Sequence, residues 1–128
     1  MTADEQQIRD LIDEWGRATS EGDLIAQMNL MTEDVAFLTP GNVPMRRKEF
    51  ADGFTSMMQA FRLECRSNIQ DVTVSGDLAV CWNLLEVDIT PAAGGNTIKR
   101  AGNTLTALRR GTDGKWRIWR DANLLAVM

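Results

Sequence analysis

The chain has 128 residues, a net charge of −4, and neither histidine nor tyrosine; its length suits one domain with a core of its own, residues 1–128. The acidic balance argues against a nucleic-acid or anionic-membrane surface, and no apolar run approaches the roughly 20 residues of a membrane span. Lack of histidine excludes the commonest general base, the Ser-His and Cys-His nucleophile systems, and the commonest transition-metal ligand. Any chemistry therefore falls to carboxylates, amides, hydroxyls, arginine, lysine or a cysteine.

The polar, acidic start MTADEQQIRD does not read as a secretory signal, so a cytoplasmic protein is the default expectation. Thr2-Ala3-Asp4-Glu5 has the form of a capping box and opens a helix to about Ser20, with Ile8, Leu11, Ile12, Trp15 and Thr19 at i, i+3, i+4 spacing. Gly22 is its stop signal, and Asp23 caps a second helix carrying Leu24, Ile25, Met28 and Met31. Val35 to Thr39 is predicted as a short strand closed by Pro40-Gly41, and Asn42 to Arg46 as an irregular loop. A third helix, Arg47 to Phe61, places Phe50, Phe54, Met57, Met58 and Phe61 on one side.

Beyond Arg62 the period changes to that of strands: Leu63 to Ser75, Leu78 to Thr90, Thr97 to Arg110, and the segment KWRIWRDANLL, with Ser75-Gly76-Asp77 and Pro91 to Asn96 as turns. Helices followed by a run of long strands predict an α+β domain with the helices on one face of a curved sheet. Cys65 and Cys81 lack the spacing of a zinc or redox site and read as small buried hydrophobes. With no dinucleotide fingerprint or metal cluster either, no cofactor and no metal are expected. Glu86 and Asp88, in phase with Trp82, mark a strand emerging into water, and Arg46-Arg47-Lys48 reads as a solvated run.

Thr112-Asp113-Gly114 suits a three-residue hairpin loop with Gly114 left-handed, which pairs Gly111 with Lys115. Carried along both strands, this register sets Asn103 opposite Asn123, Leu105 opposite Asp121 and Ala107 opposite Trp119. Trp116, Ile118, Thr104 and Thr106 then fall on the other face, where a second subunit could cover Trp116 and Ile118. Asp121 among so much apolar surface is either a solvated residue paired to an arginine or the polar floor of a pocket. In a pocket, desolvation would raise its pKa toward that of a proton-transfer base.

The order of elements, together with EDVAFLTPGNVPMRRKEF, VSGDLAVCWN, RAGNTLTALRR and DGKWRIWRDANLL, resembles the nuclear transport factor 2-like superfamily. Within it the chain is most similar to the SnoaL-like branch and its SgcJ/EcaC-type small proteins. The resemblance implies a cone-shaped, curved mixed or antiparallel sheet wrapped by the three helices (the cystatin-like α+β barrel), an apolar pocket, and a homodimer through the outer sheet face. It implies a pocket wall of Trp15, Phe37, Leu38, Met45, Phe50, Phe54, Trp82, Asn103, Leu105, Trp119 and Asn123. Asp121 matches the position where SnoaL-like cyclases carry a catalytic aspartate. Those cyclases and the scytalone-dehydratase-like branch also use histidine, and ketosteroid-isomerase-like members a tyrosine, both absent here. The expectation is a pocket for a small apolar carbonyl-type compound, with Asp121 moving a proton and Asn103 and Asn123 polarising the carbonyl. The alternatives are a non-catalytic ligand-binding protein and a dimeric assembly module.

Overall fold

A computed structural model describes all of residues 1–128. The first helix, α1, runs Ala3–Glu21; Thr2 Oγ1 accepts from the Glu5 N–H at 3.1 Å, and Gly22 ends the helix at φ 72°. Asp23 then caps α2, Leu24–Asn29, through the Ala26 N–H. The second helix is shorter than its periodicity suggests, because Met31 leaves it to open strand β1, Met31–Leu38. What draws Met31 out is tertiary: Leu30 O accepts from the Ile118 N–H at 2.8 Å, and Met31 pairs with Ile118. Helix α3, Arg47–Ala60, follows, then β2, Phe61–Ser75; β3, Leu78–Pro91; β4, Ile98–Arg110; β5, Trp116–Asn123; and a two-residue β6, Ala126–Val127, which the sequence pattern does not announce.

The strand order is β1-β5-β4-β3-β2, with β6 added to β4. All pairs are antiparallel except β1 with β5, so the sheet is mixed. The helices cover its concave face, giving the expected α+β cone. One end of the cone is solid: Ile8, Leu11 and Ile12 of α1 pack with Met31, Val35, Val72, Ala79, Cys81, Leu108, Trp116 and Ile118. Asp4 fastens α1 there by accepting from Trp116 Nε1 at 3.1 Å and Arg110 Nη1 at 2.9 Å. Trp116 and Ile118 are thus core, and the expectation that a second subunit covers them is corrected. No helix is long and apolar enough to cross a membrane.

The β4–β5 hairpin turns as the Asp-Gly signal predicts, with Gly114 at φ 80° and Gly111 N–H donating to Lys115 O at 2.9 Å. Arg110 pairs with Trp116, Arg109 with Arg117 and Leu108 with Ile118; beyond them Trp119 is an extra residue, and Ala107 faces Arg120 and Thr106 faces Asp121. A bulge of one residue changes the parity of everything after it. Trp119 and Arg120 both turn outward, and Asp121 comes inside beside Thr106 instead of sharing a face with Asn103 and Leu105.

After Asn123 the chain folds back over β4: the Leu124 N–H donates to Asn103 O, and the Leu125 N–H to Asn123 Oδ1, both at 3.0 Å. Gly102 makes this crossing possible, since a Cβ there would stand 2.7 Å from Leu124 O. Gly102→Ala is therefore expected to destabilise the fold by about 1–3 kcal/mol, the usual cost of overpacking, as read by urea unfolding.

Candidate functional site

The open end of the cone holds a cavity of about 340 Å³, within the size range of small-molecule sites. One wall is aromatic. Phe37 lies 4.6 Å from Phe50, Trp15 5.8 Å from Phe37 and 5.5 Å from Phe50, and Phe54 6.0 Å from Phe50, centroid to centroid. These rings come from α1, β1 and α3, and Arg47 at the start of α3 holds it to this corner by donating to Met28 O and Met31 O. Met45, Met57, Leu63, Leu85 and Val87 extend the apolar lining. The polar part is made by Asp121, Asn123, Thr104, Thr106, Asn83 and Gln27, with Thr19, Cys65 and Ser67 near the helices.

Asp121 sits at the join of two ladders, paired with Thr106 on one side and with Phe37 on the other. Its carboxyl has one hydrogen-bond donor, Thr106 Oγ1 at 2.6 Å, and no lysine or arginine lines the cavity. Burial pushes its pKa up from an ordinary 3.8 to about 6, and the Thr106 hydroxyl restrains the rise. The reading of Asp121 as an arginine-paired surface residue is excluded by this geometry.

Asn123 lines the cavity with its side-chain oxygen taken by the Leu125 N–H, which leaves its amide nitrogen without a partner in the protein. Burial raises both thiols, Cys81 to about 11, so neither is a thiolate nucleophile at neutral pH. No three of the Cys, Asp and Glu side chains converge as a metal-holding group.

Of the expected wall, Trp15, Phe37, Met45, Phe50, Phe54, Asp121 and Asn123 line the cavity. Asn103, Trp82, Leu105, Trp119 and Leu38 do not. Trp82 and Leu105 pair across the outer face at 47 % and 50 % exposure, and Trp82 Nε1 donates to Asn103 Oδ1 at 2.9 Å. Trp119 stands outside between the guanidinium groups of Arg109 and Arg120, each 4.3 Å from its ring. The inward set on β3 is Ala79, Cys81, Asn83, Leu85 and Val87, opposite in phase to Trp82. The signal was present in Glu86 and Asp88, which share Trp82's phase and meet Arg66 on the outer surface.

Residues 8–122 match the SnoaL-like domain. The chain belongs to that family. No curated protein matches it significantly in sequence. Among solved structures, this SnoaL-like chain is similar to a conserved protein from Planctomyces limnophilus DSM 3776, at 32 % identity and TM-score 0.96 over 98 % of each chain. A ketosteroid isomerase-like protein from Erwinia carotovora atroseptica SCRI1043 shares 21 % identity at TM-score 0.84, over 100 % of this chain and 98 % of its own. A nuclear transport factor 2-like superfamily protein from Salmonella enterica serovar Typhimurium LT2 shares 17 % at TM-score 0.82, over 95 % and 89 %. These last two establish the nuclear transport factor 2-like fold of the SnoaL-like chain.

Proposed function

We propose that the cone binds a small, largely apolar carbonyl compound and that Asp121 moves a proton beside the carbonyl. The observation that carries this reading is a desolvated carboxyl, raised to about 6, at the polar end of an otherwise aromatic and aliphatic cavity. Asp121 as carboxylate takes a proton from the carbon next to the carbonyl. The C–H electron pair becomes the new C=C bond as the carbonyl π pair moves to oxygen, where the Asn123 amide N–H donates to the developing enolate. The protonated Asp121 then gives its proton to the γ-carbon of a conjugated enolate, completing an isomerisation; to the β-hydroxyl, which leaves as water as the enolate pair forms the new C=C; or to the oxygen of a second carbonyl of the same molecule whose carbon the enolate has attacked to close a ring. None of these steps needs a cofactor. Proteins of similar fold named as ketosteroid isomerase-like and as a putative scytalone dehydratase support this reading.

The test is deuterium uptake by 2-tetralone in heavy water, followed by proton NMR against pH. Uptake is expected to rise with the carboxylate fraction through about pH 6 and then level off. Thr106→Val removes the only donor to the carboxyl, so its rising limb is expected at higher pH than in the wild type. Uptake no faster than in buffer would contradict proton transfer.

The absence of histidine and tyrosine favours a second reading, a non-catalytic pocket protein that binds its ligand without turnover. In that case tetralone binds but does not exchange. A homodimer through the outer sheet face is proposed on Val80, Trp82, Leu84 and Leu105, all between 41 % and 50 % exposed. Sedimentation equilibrium is expected to return the dimer mass, and a monomer at all concentrations would contradict it.

A further inference from the structure

A second hollow adjoins the cone. It has a volume of about 180 Å³ and lies between α1 and β2, where β2 is an edge strand of the sheet. Ile12, Gly16, Cys65 and Ser67 line both this recess and the cavity, so the two meet along the seam of α1 and β2. The seam is tied where Ser20 Oγ accepts from the Cys65 N–H at 3.0 Å. Beside that tie it is thin. Ser67 lines the cavity yet is exposed to solvent, and a Cβ on Gly16 would meet nothing within 4 Å. A glycine inside a helix costs stability relative to alanine, and Gly16 has neither a positive φ nor a close neighbour to require it. What its missing side chain leaves is a gap in the wall of the cone.

The recess differs from the cone in its chemistry. Its outer side chains are Asp13, Arg17 and Ser20. Arg17 is already engaged by Glu14, Glu21 and Asp23, which leaves Asp13 as the free charge of the recess. Arg9, one turn before Asp13, lines neither hollow. An anion placed there would find no free cation, whereas a hydroxyl or an ammonium would find a carboxylate and two serine hydroxyls. We propose that the seam is a second subsite, which takes an uncharged or cationic hydrogen-bonding tail of a molecule whose apolar body lies against the aromatic wall. Trp15 belongs to that wall and directly precedes Gly16, so body and tail lie side by side. This rests on the reading of the cone as a ligand site and adds to it a place and a polarity for one substituent.

Isothermal titration calorimetry on the full chain tests this in about 0.15 M salt, which screens charges farther off than about 8 Å. The probes share a naphthalene body: 2-methylnaphthalene, 4-(2-naphthyl)butan-1-ol, 4-(2-naphthyl)butan-1-amine and 4-(2-naphthyl)butanoic acid. The alcohol is expected to bind at least about tenfold more tightly than 2-methylnaphthalene, through burial of its tether. In Gly16→Leu, which fills the gap, that gain is expected to shrink to within about threefold. The amine is expected to bind about tenfold more tightly than the acid in the wild type, and to within about threefold of it in Asp13→Asn. Three results overturn the inference while leaving the cone a ligand site: equal binding of amine and acid by the wild type, an amine preference that persists in Asp13→Asn, or a tether gain that survives Gly16→Leu. If none of the four probes binds the folded protein, the ligand-site reading falls and this inference with it. Should Gly16→Leu not fold, the Asp13 comparison still decides, since that side chain is exposed on the helix surface.

Discussion

Asp121→Asn is expected to lose about 10²- to 10⁴-fold in turnover, the contribution of a positioned general base, while gaining stability above neutral pH. Both effects have one origin. The folded state holds this carboxyl at about 6 against an ordinary 3.8, because burial disfavours its charge. A proton bound more tightly in the folded state stabilises the fold fully below about pH 4. That contribution is lost as the pH rises through 6. By pH 8 the wild type holds an ionised carboxylate at a cost of about 3 kcal/mol. The asparagine variant has no such charge and can still accept from Thr106 Oγ1. Its advantage in urea unfolding is therefore expected to approach about 3 kcal/mol near pH 8 and to vanish near pH 4. Full turnover would remove Asp121 from the mechanism, and an advantage that did not grow with pH would mean that the carboxyl is not desolvated.

The second large effect is expected at Asn123. Its carbonyl oxygen holds the Leu125 N–H at 3.0 Å, so truncation would disturb the chain reversal as well as the cavity. Asn123→Asp is the cleaner change: an oxygen still accepts from Leu125, but the donor facing the cavity is gone. Turnover is expected to fall by about 10²- to 10³-fold, the usual loss on removing one donor to a developing oxyanion. A carboxylate added to the same lining would also push Asp121 further up, moving the rising limb of the pH profile higher. Wild-type turnover in this variant, with binding intact, would show that the carbonyl is polarised elsewhere.

Much of the architecture was legible because it rests on local chemistry. Thr2, Gly22 and Asp23 cap their helices as such residues do, and Asp113-Gly114 turns its hairpin in the expected register. Helical spacing set Trp15 on the apolar side of α1 and Phe50 and Phe54 on one side of α3, but that these faces form a pocket wall was implied by the resemblance. What escaped is non-local. The bulge at Trp119 leaves no mark in the alternation of β5, yet it decides that Asp121 meets Thr106 and not Leu105. On β3 the resemblance implied Trp82 in the wall, but the cavity is lined there by Asn83, Leu85 and Val87, and Trp82 lies outside in phase with Glu86 and Asp88, which meet Arg66. The early start of β1 depended on pairing with Ile118, about ninety positions away, which no window of sequence contains. Gln27 and Asn83 were missed because a buried amide has no periodic signature.

The central claim is that Asp121 is a desolvated base inside the cone. Carbon-13 NMR titration of its carboxyl, assigned by difference against Asp121→Asn, tests this most directly. The account predicts a midpoint near 6, moving when a tetralone occupies the cavity. A midpoint at or below the ordinary 3.8, indifferent to ligand, would contradict it.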